Sequence, residues 1–283
     1  MIPNLHPATA YPFDAEAFWG FLFHPSPMIL NGLVLTIVIA VISQALGSVL
    51  GFFAATGRKS DHSAIRAIAS FYIWVFRGTP FLVQVSIIYF AGFPFFGLSI
   101  FGGYRWDDIS ILGFLIAGRV IAGIFALSLN EGAYMAEIVR SGLEAVDKGQ
   151  REAAQAVGMR KKQVMNRIIL PQAMRTIIPP LGNQFNNMLK NTSLLSVISV
   201  VELYTAAQII QGQTFQPFEV FGAVAIYYLA LTTIWNFIQM RIEKRLNRGW
   251  GGSGRAPGVQ TGMLSTLTGS IQKVGGGRAK RSA

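Results

Sequence analysis

Long apolar runs alternate along this chain with short polar, mostly basic segments. The first run, from about Ile29 to Thr56, exceeds the roughly 20 residues a helix needs to cross a bilayer, and it ends at the basic pair Arg58 and Lys59. Asn31, Thr36, Ser43, Gln44 and Ser48 dot this run together with Gly32, Gly47 and Gly51. Small and weakly polar residues of this kind let membrane helices pack closely. A second crossing is predicted from near Ser63 past Tyr89, with Arg77-Gly78-Thr79-Pro80 placing a charge and a helix breaker inside it. The third is bracketed by Arg119 and Arg140, about one hydrocarbon core apart. A fourth runs from Gln172 to Leu203, kinked at Pro179 and Pro180, and a fifth from about Phe218 to Phe237. Phe90 to Asp108 and Glu202 to Gln216 read as outer loops. The pattern predicts an all-α polytopic membrane protein of about five transmembrane helices, with a helix-turn-helix loop between the third and the fourth.

Composition agrees with that pattern and orients it. Of 283 residues, 52% are hydrophobic and only 13% charged, about half the charged share of a soluble domain. The net charge of +11 would suit a nucleic-acid partner, but in a membrane chain the position of the charges carries the information, and no nucleic acid is expected. Lys and Arg are absent before Arg58, then cluster at Arg58, Lys59 and Arg66, from Lys148 to Arg167, and from Arg241 to Arg248. If those clusters are cytoplasmic, the N-terminus is outside and the C-terminus inside a bacterial cytoplasmic membrane, an odd number of crossings. Residues 1–28 read as an extracytoplasmic or interfacial segment; Phe18 to Phe23 lacks the basic flank of a signal peptide. Residues 29–248 form the membrane domain. Residues 249–283, Gly-rich and basic without an acid, read as a disordered tail. There is no cysteine, and His6, His24 and His62 lack ligand spacing, so no metal is expected.

Polar residues inside apolar runs are the candidate chemistry, because exposing a charge to lipid costs several kcal/mol. Arg77 lies eleven residues beyond Arg66, roughly 16 Å along a helix; it either lines a pathway or packs on carbonyls freed by Pro80. Asn130, Tyr134 and Glu137 share one helical face, with Glu131 beside them. Glu131 and Glu137 either face a substrate path or are neutralised by Arg or Lys within the bundle. Asn183, Asn186, Asn187 and Lys190 fall at i, i+3, i+4 and i+7, and Asn191-Thr192-Ser193 then interrupts the helical pattern. Broken helices at membrane depth favour cavities. The pathway candidates are therefore Arg77, Asn130, Glu131, Tyr134, Asn183, Asn187, Lys190, Asn191 and Thr192. Glu131 suits a cation and Lys190 a carboxylate; an amino acid carries both.

The stretch Asp147 to Pro171, DKGQREAAQAVGMRKKQVMNRIILP, is polar and helix-prone. Asp147 and Gln150 have capping-box spacing, opening a first helix at Lys148. Gly158 is a natural left-handed residue past its end. A second helix, from about Arg160 to Leu170, would pair Val164 with Ile168 and Met165 with Ile169 on one apolar face, and Pro171 would stop it or open the next helix. An amphipathic connector on the membrane surface has the same shape. The spacing of Glu152-Ala153-Ala154, Gly158 and Ile168-Ile169-Leu170-Pro171 closely resembles the EAA loop of ABC importer permeases. VFRGTPFLVQ (from Val75), LSLNEGAYMAEIVRSGL (from Leu127) and PPLGNQFNNMLKNTSLLSVISVVEL (from Pro179) are similar to the permeases for polar amino acids, and the likeness covers about Ile29 to Arg248.

That resemblance implies that Glu152, Ala153, Ala154, Gly158, Ile168, Leu170 and Pro171 form a coupling element seated on a separate ATPase. It further implies a dimer of ATPase subunits using ATP and Mg, a second permease (the same or a sister chain), and an extracytoplasmic substrate-binding protein. No phosphate-loop, H-E-x-x-H or G-x-S-x-G motif occurs, so no catalytic residues and no bound cofactor are expected in this chain. The alternative is a stand-alone secondary transporter or channel in which Glu131 and Lys190 couple ions.

Overall fold

The computed structural model describes residues 13–91, 94–95, 98–99, 108–111 and 114–247. Residues 1–12, most of the first expected outer loop, Arg248 and the expected tail at 249–283 lie outside the described residues.

Helix α1 (Ala15–Phe23) starts because the Asp14 carboxylate accepts the Ala17 N–H at 3.0 Å. It lies against the last helix, α10 (Pro217–Asn247), whose Tyr227 hydroxyl donates to the carbonyls of Phe21 and Leu22 at 3.2 and 2.6 Å. The aromatic N-terminal segment is thus a helix fastened to the bundle. Ser26 caps α2 (Pro27–Gly57), with Pro27 in its first turn, where a missing N–H costs nothing. At 31 residues it is about 46 Å long.

Helix α2 packs along α5 (Gly118–Glu144), and glycine permits the approach. A Cβ on Gly47 would come 2.7 Å from Glu131 Cβ, and one on Gly51 would collide with Met135. The small residues of α2 therefore serve close packing, as their composition suggests. The main apolar core forms where Ile39 and Ala40 of α2 meet Ala126 and Leu127 of α5, Val85, and Leu195.

The expected second crossing is not one continuous helix. Helix α3 (Ser63–Gly78) ends at Thr79, and α4 (Phe81–Ser86), extended by a π-helical turn at Ile87–Ala91, leaves it at 110°. Pro80 forces the break: it lacks the N–H that would continue the ladder, and its ring excludes the helical path. In the expected outer loop a short antiparallel pair joins β1 (Pro94–Phe95) with β2 (Leu98–Ser99), and just past it a second joins β3 (Ile109–Ile111) with β4 (Phe114–Ile116).

After α5 come α6 (Lys148–Ala156) and α7 (Lys161–Val164). A π-helical turn at Met165–Ile169 then leads without interruption into α8 (Leu170–Asn191). A 3₁₀ segment, Thr192–Ile198, follows α8 and ends at Ser199 in the left-handed conformation (φ 57°). The expected outer loop from Glu202 to Gln216 is instead a helix, α9 (Leu203–Thr214), set at 52° to the preceding one. Leu203, Ala207 and Ile210 pack against Ile29, Val220 and Val224.

Glu202 explains why α9 folds inward. Its fully buried carboxylate caps the helix by accepting the N–H groups of Tyr204 and Thr205 at 3.0 and 2.8 Å. It also takes hydroxyl donors from Tyr228 at 2.9 Å and Thr36 at 3.4 Å. A buried carboxylate persists only with such a full set of donors. Gly32 allows α2 to pass over this corner, since a Cβ there would lie 2.9 Å from the Glu202 carbonyl carbon.

Among the described residues two helices, α2 and α10, are each long and apolar enough to cross a membrane alone; the two bent pairs raise this to four if each counts as one span. Helix α5 is not among them. Its 27 residues reach about 40 Å, but it carries Arg119, Glu131, Glu137, Arg140 and Glu144. Arg119 and Glu144 are exposed near its two ends, while Glu131 in its middle is buried among neighbouring helices and Glu137 is half-buried beside arginines, which is how a charged segment is tolerated at such a place.

Candidate functional site

The break between α3 and α4, the middle of α5 and the end of α8 enclose a cavity of about 350 Å³, at the lower end of the roughly 300–1,000 Å³ typical of small-molecule sites. Its lining is Thr79, Pro80 and Phe81 from the break, Asn130, Glu131 and Tyr134 from α5, and Gln184, Asn187 and Asn191 from α8. One carboxylate and several amides converge on a space the size of an amino acid. Such a set can take an ammonium or guanidinium at the acid and neutral polar groups at the amides.

Glu131 is 4% exposed and accepts from Gln44 Nε2 of α2 at 3.0 Å and Gln184 Nε2 of α8 at 3.5 Å. Its neighbours are thus amides rather than the Arg or Lys that would neutralise it. Asn130 Nδ2 donates to Gln84 Oε1 at 2.8 Å and lies 3.3 Å from the Phe76 carbonyl. Asn187 Nδ2 donates to Gln184 Oε1 at 3.3 Å.

Five of the nine pathway candidates meet here: Asn130, Glu131, Tyr134, Asn187 and Asn191. The other four lie elsewhere. Asn183 and Lys190 are exposed on α8, outside the cavity lining. Thr192 is fully buried and donates back to the Leu189 carbonyl at 3.0 Å. Arg77 lies in a second cavity of about 330 Å³ with Arg58, Ser70, Trp74 and Glu137.

There the Glu137 carboxylate is shared by three guanidiniums. Arg58 pairs with Oε1, Arg77 is 3.7 Å from the same oxygen, and Arg140 is 2.8 Å from Oε2. Neutralisation by arginine therefore holds for Glu137. Arg77 does not pack on carbonyls freed by Pro80; the freed group, Phe76 O, is served by Gln84 and Asn130.

Gln84 and Gln184 are not among the residues the pattern singles out, and Gln44 is read from it only as a packing residue of the first crossing. The cavity stripe on α8 is Gln184, Asn187 and Asn191, at i, i+3 and i+7, one residue out of phase with the stripe read through Asn183 and Lys190. Both spacings are helical, so periodicity alone could not choose between them. Gln84, four residues past a helix-breaking proline, carried a usable signal.

The loop joining α5 to α8 is built as a small folded unit. Asp147 Oδ1 caps α6 through the Gly149 N–H at 2.6 Å, without the reciprocal bond expected from Gln150. That reciprocal role appears on α7, where Gln163 Oε1 accepts the Arg160 N–H at 2.9 Å. Gly158 turns the chain with φ +82°, a conformation costly for any residue with a Cβ. Ala154, Val164 and Ile169 form a local core with Ile168 packed against it. Val164 and Ile168 share this core as expected, but the pairing of Met165 with Ile169 is lost because the π-helical turn shifts the register. Val164 and Ile169, five residues apart, are buried, while Met165 is exposed. The second helix does not stop at Pro171, which sits in the first turn of α8. Glu152, Ala153, Gly158, Leu170 and Pro171 face outward, whereas Ala154 points into the local core.

Residues 47–248 match the family model described as the binding-protein-dependent transport system inner membrane component. The chain is 40% identical to the arginine transport system permease protein of Corynebacterium glutamicum over 215 residues, 76% of this chain and 66% of that protein. It is 36% identical to the glutamine transport system permease protein of Escherichia coli K12 over 234 residues, 83% of this chain and 98% of that one. A solved amino acid ABC transporter with histidines superposes with a TM-score of 0.67 at 36% identity, covering 81% of this chain and 98% of that chain. The inward-facing MetNI methionine ABC transporter shares the fold at a TM-score of 0.61 and 17% identity, covering 78% and 97%. On its loop, its helix order and these likenesses, the chain belongs to the family of inner-membrane permease components of binding-protein-dependent transport systems.

Proposed function

We propose that this permease passes polar or charged amino acids, or closely related small compounds, along a pathway that includes the cavity at Glu131. The carrying observation is the cavity itself: about 350 Å³, with a buried carboxylate and four amide side chains on its walls. The arginine and glutamine permeases among its relatives support the substrate class. Gln44 and Gln184 hold the carboxylate in place, so a substrate cation could replace hydration without large rearrangement.

The chain forms half of the pathway and pairs with a second permease. A separate ATPase dimer, using ATP and Mg, docks on the loop from Asp147 to Pro171, and an external binding protein delivers substrate. The N-terminus faces outward and the C-terminus inward across a bacterial cytoplasmic membrane, which puts the loop on the nucleotide side. A stand-alone transporter would have no use for a loop with its own core, cap and left-handed glycine.

Affinity purification of the full chain from its own membranes, with mass spectrometry of co-eluting proteins, tests the assembly. An ATPase is expected to co-elute in about equal number with permease subunits, and its loss should abolish uptake. A chain that purifies alone and transports unaided would overturn the proposal.

A further inference from the structure

Pro80 donates no hydrogen bond, so the carbonyl of Phe76, four residues earlier, has no helical partner. Gln84 Nε2 approaches that carbonyl at 2.9 Å. The same nitrogen lies 3.0 Å from the Thr79 carbonyl and 2.8 Å from the Thr79 hydroxyl. Its two hydrogens are shared among three acceptors, while Gln84 Oε1 accepts from Asn130 Nδ2 at 2.8 Å. Gln84 is 6% exposed and does not line the cavity. Two of its partners, Thr79 and Asn130, do. One amide thus ties the first turn of α4 to the last turn of α3 across the 110° break, and ties both to α5. No backbone hydrogen bond continues through Thr79–Pro80 to do this instead.

We propose that Gln84 is a positioning residue for transport, fixing the Thr79–Pro80–Phe81 wall against Asn130 and so setting the width of the cavity. This rests on the reading of that cavity as the pathway. Removing the amide leaves Phe76 O with only the longer 3.3 Å contact from Asn130, whose own acceptor on Gln84 is lost, and takes the side-chain donor from Thr79 O at the cavity wall; water or a local opening must then satisfy them.

The chain contains no cysteine, so Phe81→Cys introduces a single thiol on the cavity wall. The test measures its labelling by a membrane-impermeant maleimide in the full chain, in membranes, with its partners present. Adding Gln84→Met is expected to raise the labelling rate at least about three-fold, in line with loss of a buried hydrogen bond. Gln84→Glu keeps the acceptor for Asn130 and loses the donors; it should give a smaller rise. A Glu152→Cys reporter in the loop should label at the same rate with either residue at 84. In uptake of L-glutamine, Gln84→Met should raise KM with a smaller change in maximal rate.

Equal labelling of Phe81→Cys with and without Gln84→Met overturns the proposal. So does an equal rise at the Glu152→Cys reporter, or loss of membrane insertion in both Gln84 variants, since either assigns Gln84 to general folding. Labelling requires no transport, so failure of the amino-acid reading would leave it informative: a chain that moves no amino acid could still pass the labelling arm.

Discussion

Replacing Gly158 with valine is expected to leave the protein inserted at normal abundance and to abolish uptake. Gly158 holds φ +82°, and a Cβ built there meets nothing within 4 Å. Steric collision is therefore not the cause; the backbone conformation is. An L-residue in the left-handed region costs about 1–2 kcal/mol, and a β-branched residue is a poor occupant even then. The chain escapes by changing the turn between α6 and α7, which moves the outward faces of Glu152 and Ala153 relative to α8. The membrane helices keep their own cores, so the fold tolerates the change while the relay does not. Uptake and substrate-stimulated ATP hydrolysis should fall together, with membrane-fraction abundance within about two-fold of the parent, because the substitution sits outside every buried cluster. Asparagine, which tolerates the left-handed region better, should retain much of the activity. A valine variant that transports at the parental rate would remove Gly158 from the coupling element.

Glu131→Gln carries the second large effect. The substitution preserves shape and one acceptor oxygen, so Gln44 keeps a partner and the α2–α5 contact at Gly47 survives. What disappears is the negative charge beside the cavity. A charge-assisted contact to a substrate cation is worth about twice a neutral one. Uptake of L-arginine should therefore rise in KM by about ten-fold, equivalent to about 1.4 kcal/mol. L-glutamine, neutral at its side chain, should change less, and competition between the two should shift toward glutamine. Unchanged kinetics for both would place Glu131 outside the pathway and leave it a packing residue of the α2–α5 contact.

How far the sequence carried these conclusions varies by element, for physical reasons. Helices α2, α5 and α6 and the turn at Gly158 were legible because local signals set them: apolar length, flanking arginines, an Asp cap and a glycine that needs positive φ. Pro80 announced a break but not its angle. The 110° bend depends on Gln84 and Asn130 meeting Phe76 O from two different helices, which no local pattern encodes. Helix α9 looked like a loop because its polar residues dilute the apolar signal. Its position follows from Glu202 finding Tyr228 and Thr36, 26 and 166 residues away in sequence. On α8 the cavity takes Gln184, Asn187 and Asn191 rather than the neighbouring stripe through Asn183 and Lys190, since Asn187 fits both faces and only packing against α5 selects between them. At the loop, a π-helical turn brings Ile169 into the core beside Val164 and Ile168 and leaves Met165 exposed, a register that a 3.6-residue period cannot predict.

The most direct test is uptake of radiolabelled substrate, delivered by its binding protein, into vesicles holding this permease assembly with ATP and Mg enclosed. It should be run with the partner ATPase present, absent, and present with Gly158→Val in the permease. Accumulation is expected only with the ATPase and an intact loop. Accumulation at the same rate without the ATPase would contradict coupling through the segment from Asp147 to Pro171.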